Sequence, residues 1–310
     1  MKEPLVSICC VAYNHEQYIK DALESFMSQK TTFPIEIVVS DDCSKDGTHA
    51  IIKEYVEKFP DLFRDISPKQ NLGLFENFTY VQEQARGKYI AICEGDDFWI
   101  DPYKLQKQVD VLEADESLIA CCTNCINVDK TGKEIVPLKS TTTENIQCDN
   151  RYTLRDFFSE NHQYPTLTVV YRNSHKEELY SKLRHTKNPF LADWPLWIIL
   201  LTYGDMLFLN QKTAAYRNNP TSITHTANRV ARAKASRDIC RKVADILPEE
   251  YSDIAADLRK TNWVWISLIF AYKAEKRYFG MLGSFIMAAI LCPKSLWKTI
   301  RESLYKRKNK

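Results

Sequence analysis

The sequence predicts an α/β fold in which a mostly parallel sheet is flanked by helices and followed by a helical C-terminal region. Over residues 1–115, short apolar runs alternate with segments of helical spacing, which is the pattern of β-α-β units. From about residue 226 the pattern is helical to the end. We therefore expect a first domain at residues 1–225 and a helical region at residues 226–310.

The first domain begins with alternating strand and helix patterns. Glycine often ends a helix and proline often starts one, so we expect Gly87 to close one helix and Pro102 to open the next. In chain order the patterns are strand 5–14, helix 15–29, strand 35–42, helix 46–59, helix 76–87, strand 88–97 and helix 102–114.

The rest of the first domain is less regular. Residues 138–165 are polar and show no clear pattern. The remaining segments predict strand and turn at 118–137 with a hairpin at "DKTGK", a strand at 166–173, a helix after Asp193 closed by Gly204, and two short strands at 205–218.

Composition is that of an ordinary globular protein, with 310 residues, 45% hydrophobic, 26% charged and a net charge of +2. This charge gives no reason to expect a nucleic-acid partner. Most of the ten cysteines lie in apolar runs, and Cys122 and Cys125 form one CxxC without a second pair at zinc-finger spacing. We expect buried, reduced thiols in a cytoplasmic protein without a signal peptide.

The C-terminal region contains two apolar runs, at residues 263–272 and 280–292, and a basic tail at 294–310 with Glu302 as its one acid. Neither run reaches the roughly 18–20 residues of a spanning helix, so we expect no simple transmembrane segment. Two interpretations remain. The region is either an anchor at the inner face of the membrane or a set of helices packed on the first domain.

Two predicted strands end in acidic residues. Asp41 and Asp42 close one strand, and Glu94, Asp96 and Asp97 follow the other. Parallel neighbours would bring both clusters to one edge of the sheet, where α/β proteins bind ligands. Because like charges repel, a cation or a cation-carrying ligand is the expected occupant, and a solvated acidic turn is the alternative.

Four motifs in register with this pattern resemble the family 2 glycosyltransferases, which have the GT-A fold. They are "VSICCVAYN…YIKDALESFMSQ", "EIVVSDDCSKDGT", "NLG" followed by "ARGKYIAICEGDDFWIDPYKLQKQ", and "LADWPLW". The resemblance covers roughly residues 4–225. It implies transfer of a sugar from a nucleotide-sugar to an acceptor hydroxyl, with inversion at the anomeric carbon. Residues up to about 100 would bind the nucleotide-sugar and residues 101–225 the acceptor.

The resemblance implies a divalent cation, Mg²⁺ or Mn²⁺, on the donor diphosphate. The D-x-D motif of the family is E-x-D here, with Glu94 in the first position and Asp96 in the last. It favours Asp96 as the metal ligand, with Asp97 close behind and Glu94 nearer the ribose. His225 lies where such enzymes sometimes supply another metal ligand, although a lone histidine is more often structural.

For the nucleotide, the resemblance matches Asp42 to the acid that accepts the N3–H of uracil. Thymine presents the same edge, so this match indicates a pyrimidine imide rather than uridine alone, and a cap or turn role is the alternative. Tyr13 and Asn14 would lie beside the nucleoside, although Tyr13 could also be a core residue. Glu76 stands where relatives often have arginine, and Lys69 is a candidate replacement for that diphosphate contact. The remaining residues expected to contact the donor are Ala12, Asn71 and Asn77.

Asp193 matches the catalytic acid of the family, here preceded by Ala192 instead of a second acid. Its role would be that of a general base, and the structural alternative is a helix N-cap. Trp194 and Trp197 would form an apolar wall against the acceptor sugar, or belong to the core.

The sequence thus predicts an inverting, metal-dependent glycosyltransferase. The expected donor is a UDP-sugar and the acceptor a glycan or lipid-linked hydroxyl, in cell-surface polysaccharide synthesis. A nucleotidyltransferase is the first alternative, and "VAYNHEQYI" argues against it because such enzymes have a Gly-rich basic loop there. A binding protein that lacks catalysis is the second alternative.

Overall fold

The computed structural model describes residues 3–136, 148–159, 164–219, 228–260 and 262–291. The chain divides into two compact units. The first unit contains residues 1–184 and 192–220, and the second contains residues 185–191 and 221–310. The short segment 185–191, which has no distinguishing sequence pattern, therefore belongs with the C-terminal helices.

The first unit is built on a mixed sheet of nine described strands in the order β3-β2-β1-β4-β8-β6-β9-β5, with β7 also pairing with β9. The strands are β1 Val6–Ala12, β2 Ile35–Asp41, β3 Phe63–Asp65, β4 Tyr89–Ile92, β5 Phe98–Trp99, β6 Leu118–Val128, β7 Asn150–Tyr152, β8 Val170–Arg172 and β9 Asp205–Arg217. Strands β3 and β5 are too short to have been predicted from periodicity.

The predicted α/β class is confirmed, and the parallel pairing is concentrated in the N-terminal half. Strands β3, β2, β1 and β4 are parallel to one another, and β6 is parallel to β9. The pairings of β4 with β8, β6 with β8, β5 with β9 and β7 with β9 are antiparallel. Strands β1 and β4 are buried on both faces, which explains their unbroken apolar runs.

Helices cover the sheet of the first unit and make up most of the second. The helices before residue 201 are α1 Ile19–Met27, α2 Thr48–Lys58, α3 Leu74–Glu83, α4 Lys104–Ala114, α5 Leu154–Ser159, α6 Lys176–His185 and α7 Asp193–Leu200. The second unit contains α8 Arg229–Ile246, α9 Ser252–Lys260, α10 Asn262–Ala274 and α11 Tyr278–Leu291. Within the described ranges, no helix combines the length and apolarity that a membrane span requires.

Three local predictions were wrong. Helix α7 ends at Leu200 and not at Gly204. Helix α3 ends at Glu83, and Gly87 has a different role, because a Cβ there would lie 2.6 Å from the backbone nitrogen of Ser7. Residues 205–217 form one strand, β9, and not two. Its register against β6 shifts around Asn124, so a bulge absorbs the polar interruption that suggested a turn.

Candidate active site

The acidic strand ends meet at one edge of the sheet. Ala12, the last residue of β1, pairs with Asp41 of β2, and β1 also pairs with β4 on its other side. Backbone bonds continue this alignment past the strands, since Asp42 N–H donates to the Ala12 carbonyl (2.9 Å) and Gly95 N–H to the Val11 carbonyl (2.8 Å). The three loops that follow β1, β2 and β4 therefore converge on one crevice edge.

Asp42 is buried and anchors the loop that leads into α3. Its Oδ1 accepts from Leu72 N–H (2.6 Å) and its Oδ2 from Gly73 N–H (2.9 Å). The Asn71 side-chain amide donates to the Asp42 carbonyl (2.7 Å). A carboxylate has about four acceptor sites and two of them are used here, so capacity for about two further donors is left.

The loop after β1 has an ordered, locally bonded backbone. Asn14 has φ of 56°, in the left-handed region that asparagine tolerates better than most residues. Its N–H donates to Ser44 Oγ (2.7 Å) and its Oδ1 accepts from Lys45 N–H (2.9 Å). Tyr13 is 44% exposed, so it is not a core residue, whereas Ala12 is buried.

Asn77 and Glu76 make internal contacts. Asn77 is buried, its Oδ1 accepts from Ser40 Oγ (2.5 Å) and its Nδ2 donates to the Ser40 carbonyl (3.1 Å). This geometry favours a role in holding the end of β2 over the predicted donor contact. The carboxylate of Glu76 pairs with Arg184 (2.6 Å), and Lys69 is exposed.

Glu94 and Asp97 are two carboxyl groups held in an unfavourable environment. Burial, followed by the charge of Asp96, raises the pKa of Glu94 to about 8. Burial also raises the pKa of Asp97 well above its usual range, and the charges of Asp96 and Glu94 add to this. Glu94 Oε2 is buried and has no hydrogen-bond partner among the described residues. Such a group needs a cation or a donor from a ligand.

Arg217, at the end of β9, locks the acidic loop in place. Its backbone N–H donates to Asp97 Oδ1 (2.7 Å) and its Nε to the Asp96 carbonyl (2.8 Å). The guanidinium is almost fully buried, between the rings of Tyr18 and Phe98. The arginine therefore supports the backbone of the acidic loop, while the Asp96 carboxylate accepts from the side-chain amide of Asn219 (3.0 Å).

Ala192 occupies the N-cap position of α7 and Asp193 is the first helical residue, so Asp193 is not the N-cap of this helix. Its Oδ1 accepts from Trp194 N–H (2.8 Å). Burial raises the pKa of Asp193, and hydrogen bonds from Trp194 N–H and the Thr166 side chain oppose that shift. The charge of Asp193 also raises the pKa of Glu94, and the Thr166 side chain lies within reach of both carboxyl groups, so the structure brings these distant residues together.

Sequence reasoning missed Thr166, Arg217 and Asn219, together with two further residues near the acids. Tyr216 is 37% exposed, and its pKa is raised by burial and then by the charges of Asp97, Glu94, Asp96 and Asp193. His15 Nε2 lies 3.7 Å from Asp96 Oδ2. None of these residues belongs to a recognisable motif, and only the folded sheet brings them to the acids.

The two tryptophans of "LADWPLW" have different environments. Trp194 is partly exposed and lies edge-to-face on Phe158 with ring centroids 6.3 Å apart, so it remains a candidate for the acceptor wall. Trp197 is buried in the core. His225, the predicted extra metal ligand, lies outside the described residues.

The acid cluster fits a divalent cation of the kind that is shared with a diphosphate. No three His, Cys, Asp or Glu side chains within the described ranges surround a common metal position. Mg²⁺, however, commonly uses one or two carboxylates and completes its shell with phosphate oxygens and water. The partly exposed Asp96 and the unpartnered Oε2 of Glu94 are hard oxygen donors suited to that arrangement.

Comparison with known proteins identifies the family. The model of the family described as "Glycosyl transferase family 2" matches residues 7–179. The uncharacterized Mycobacterium tuberculosis protein Rv1520 is 35% identical over 225 residues, which is 72% of this chain. The chain spans only 61% of the length of that relative.

Solved structures share the fold at low sequence identity. S. aureus TarS 1–349 in complex with UDP has a TM-score of 0.59 and 16% identity, covering 96% of this chain and 91% of that one. The mannosyltransferase PcManGT from Pyrobaculum calidifontis, in complex with GDP-Man and Mn²⁺, has a TM-score of 0.55 and 18% identity. That match covers 98% of this chain and 86% of the other.

The sheet with its acidic edge defines a GT-A glycosyltransferase fold. The chain belongs to glycosyl transferase family 2, since the family model matches more than half of it.

Proposed function

We propose that this protein is an inverting glycosyltransferase that moves a sugar from a UDP-sugar to an acceptor hydroxyl with the help of Mg²⁺ or Mn²⁺. The observation that carries the proposal is that Asp193 lies close enough to Glu94 for its charge to raise the pKa of Glu94, with the Thr166 side chain within reach of both. This puts a partly buried carboxylate near the E-x-D motif, on a separate element. This arrangement supplies a proton acceptor next to a site suited to a diphosphate-bound cation.

The donor is held by the loops after β1, β2 and β4. Tyr13 is exposed beside Asn14, and Asp42 has acceptor capacity for an imide N–H. A uracil ring presents such a donor at N3, whereas cytosine presents an acceptor there. Complexes of fold neighbours with UDP and with GDP-Man support a nucleotide in this crevice. The Asp42 contact is the reason to prefer UDP here.

Asp96 is the proposed protein ligand for the cation, with Asp97 behind it and Glu94 towards the ribose. A bound cation would neutralise negative charge on the leaving diphosphate. The protein's own contribution is to fix the acidic loop, which Arg217 does through the Asp96 carbonyl and the Asp97 carboxylate. If that support were lost, the carboxylates proposed to bind the cation would move away from the positions that the reaction requires.

Asp193 is the proposed general base. In an inverting transfer the acceptor oxygen forms a bond to the anomeric carbon as the bond to the diphosphate breaks. The acceptor proton passes to a carboxylate oxygen of Asp193. Thr166 and Trp194 N–H hold that carboxylate in position, and the partly exposed Trp194 ring offers an apolar surface for the acceptor sugar.

A panel of nucleotide-sugars tests the proposal. Thermal shifts with Mn²⁺ and with Mg²⁺ identify the donor, and release of nucleoside diphosphate with candidate glycan and lipid-linked acceptors measures transfer. We expect a UDP-sugar to give the largest shift and an acceptor to accelerate UDP release. If no nucleotide-sugar stabilises the protein, the proposal is wrong. If one binds without turnover under any acceptor, the binding-protein alternative is favoured.

A further inference from the structure

Helix α11 buries two of its small side chains and exposes most of its large apolar side chains. Ser284 and Ala288 are buried, and a Cβ at Gly280 would lie 2.6 Å from a ring carbon of Tyr272. These small residues allow α10 and α11 to approach closely. The exposed face carries large apolar side chains with these exposed fractions: Phe279 95%, Leu282 57%, Phe285 41%, Ile286 50% and Ile290 67%. A surface helix that contacts only water on its outer side normally turns its large apolar side chains towards the core and its polar side chains towards the water.

A cavity of about 480 Å³ lies between α8, α10 and α11, beside this apolar face. Its lining includes Lys234 and Arg237 of α8, Trp265 and Tyr272 of α10, and Ser284 of α11. The lining therefore combines two cations with polar donors on aromatic and hydroxyl side chains. Leu268 and Met287 also line it, so the cavity suits a ligand that has an anionic group beside an apolar part.

Two buried donors in the cavity have no acceptor. Arg237 Nε and Trp265 Nε1 are both without a hydrogen-bond partner in the described parts of the chain. The Arg237 guanidinium stacks on the Trp265 ring at 4.4 Å from the centroid, which leaves the edge of each group free to donate. Unsatisfied buried donors are costly, so both groups indicate a missing acceptor.

No described carboxylate neutralises the cavity. Lys234, Arg237 and Arg241 lie on one stripe of α8, and burial and then the charge of Arg241 lower the pKa of Arg237. Nearby acids are already engaged: Asp238 pairs with Lys242 (2.7 Å) and Glu275 with Arg277 (3.6 Å). The stripe thus has a net positive charge that an anion would relieve.

We propose that the second unit docks on an anionic phospholipid bilayer, with a lipid phosphate in the cavity lined by Lys234, Arg237 and Trp265 and the exposed face of α11 in the acyl boundary. The ligand must be anionic at one end and apolar at the other, because the cavity and the apolar face share one helix. A second copy of the chain would bring two cationic stripes together. Residues 294–310 contain seven further Lys or Arg and one acid, and this positive charge also favours binding to an anionic surface.

Vesicle flotation of the full chain tests this proposal, with neutral phosphatidylcholine vesicles compared with vesicles that contain phosphatidylglycerol. We expect binding to the anionic vesicles only. The double variant Lys234→Gln with Arg237→Gln should lower the partition coefficient roughly thirtyfold. Lys53→Gln with Lys133→Gln removes the same charge from exposed positions of the first unit and should change partition less than about threefold.

Further variants separate the cavity from general charge. Phe279→Ser with Ile286→Ser should lower partition at least about tenfold, because two large apolar side chains no longer enter the bilayer. Arg237→Lys keeps the charge but removes the unsatisfied Nε donor, so it should lower partition by less than the double variant and by more than the Lys53 and Lys133 control. Thermal melts and UDP binding of each variant show whether the fold is intact.

Four outcomes would overturn the proposal. The first is that the parent chain fails to float with anionic vesicles. The second is that the double variant Lys234→Gln with Arg237→Gln floats as well as the Lys53 and Lys133 control. The third is that flotation survives loss of Phe279 and Ile286. The fourth is that inorganic phosphate raises the melting temperature of the parent but leaves its flotation unchanged, which would make the cavity a site for soluble phosphate. If the chain instead forms a concentration-dependent dimer through α11 and does not bind vesicles, the first outcome has occurred.

Discussion

Replacing Asp193 with asparagine should abolish transfer while leaving the fold and donor binding intact. Asparagine keeps the size of the side chain and an acceptor oxygen for Trp194 N–H, which now bonds Asp193 Oδ1 at 2.8 Å. It removes the group that takes the acceptor proton. Loss of a general base costs about 10²–10⁴-fold in kcat, or about 2.7–5.5 kcal/mol of transition-state free energy.

The effect of this substitution on stability follows from the environment of Asp193. Burial raises the pKa of Asp193 in the folded protein, so the folded state holds the proton more tightly than the unfolded chain does. The free energy of unfolding therefore falls as pH rises from about 4 through the folded pKa, and the ionised group is destabilising at pH 7. Asparagine removes this cost but loses about 0.3–1 kcal/mol of interaction with the α7 dipole.

We therefore expect Asp193→Asn to be as stable as the parent within about 1 kcal/mol, or more stable, at pH 7. The assays are urea unfolding, calorimetric binding of the UDP-sugar, and release of UDP with acceptor. Asp253→Asn, which removes an acid from the first turn of α9, is the matched control and should retain activity. Turnover within a few-fold of the parent by a folded Asp193→Asn would refute the reasoning. Joint loss of stability and binding would indicate a structural role.

Three further predictions concern the nucleotide, the cation and the support of the acidic loop. Asp42→Asn should weaken the binding of UDP relative to CDP by about tenfold to a hundredfold, because a hydrogen bond to a charged acceptor is lost. Calorimetry of both nucleotides checks this, and an unchanged ratio of the two affinities would remove Asp42 from base recognition. Dialysis against EDTA should stop UDP release and Mn²⁺ or Mg²⁺ should restore it, with Asp96→Asn needing more metal; full activity in EDTA would exclude the cation. Arg217→Met should cost about 3 kcal/mol in urea unfolding, since bonds to the Asp96 and Lys130 carbonyls are lost, and a change below about 1 kcal/mol would contradict the proposed support.

The sequence alone indicated the fold class and the acidic edge. Strands β1 and β4 are almost entirely apolar because both of their faces are buried, and burial of both faces selects apolar residues. Asp42 follows β2 immediately and Glu94 follows β4 after one residue, so the pairing of parallel strands was enough to predict that they lie at one edge. Both inferences depend on neighbours in sequence or on a regular period.

Helix ends and strand continuity were harder to predict, because local signals compete with tertiary contacts. Gly87 resembles a helix-ending glycine, yet it is required by the close approach of Ser7, a residue far away in the sequence. The polar residues within β9 suggested a turn, yet pairing with β6 keeps the strand continuous. In both cases a contact with another strand determined the local conformation.

Only the tertiary structure decided how the site is assembled. The shared contact of Glu94 and Asp193 with Thr166, and the bond of Arg217 to Asp97, join segments separated by most of the first unit. No period or spacing encodes such contacts, because they depend on the order of strands in the sheet. The sequence by itself determined that a carboxylate edge would form. The folded sheet determined which distant side chains complete it, since hydrogen bonds and charge interactions act over a few ångströms in space and not along the chain.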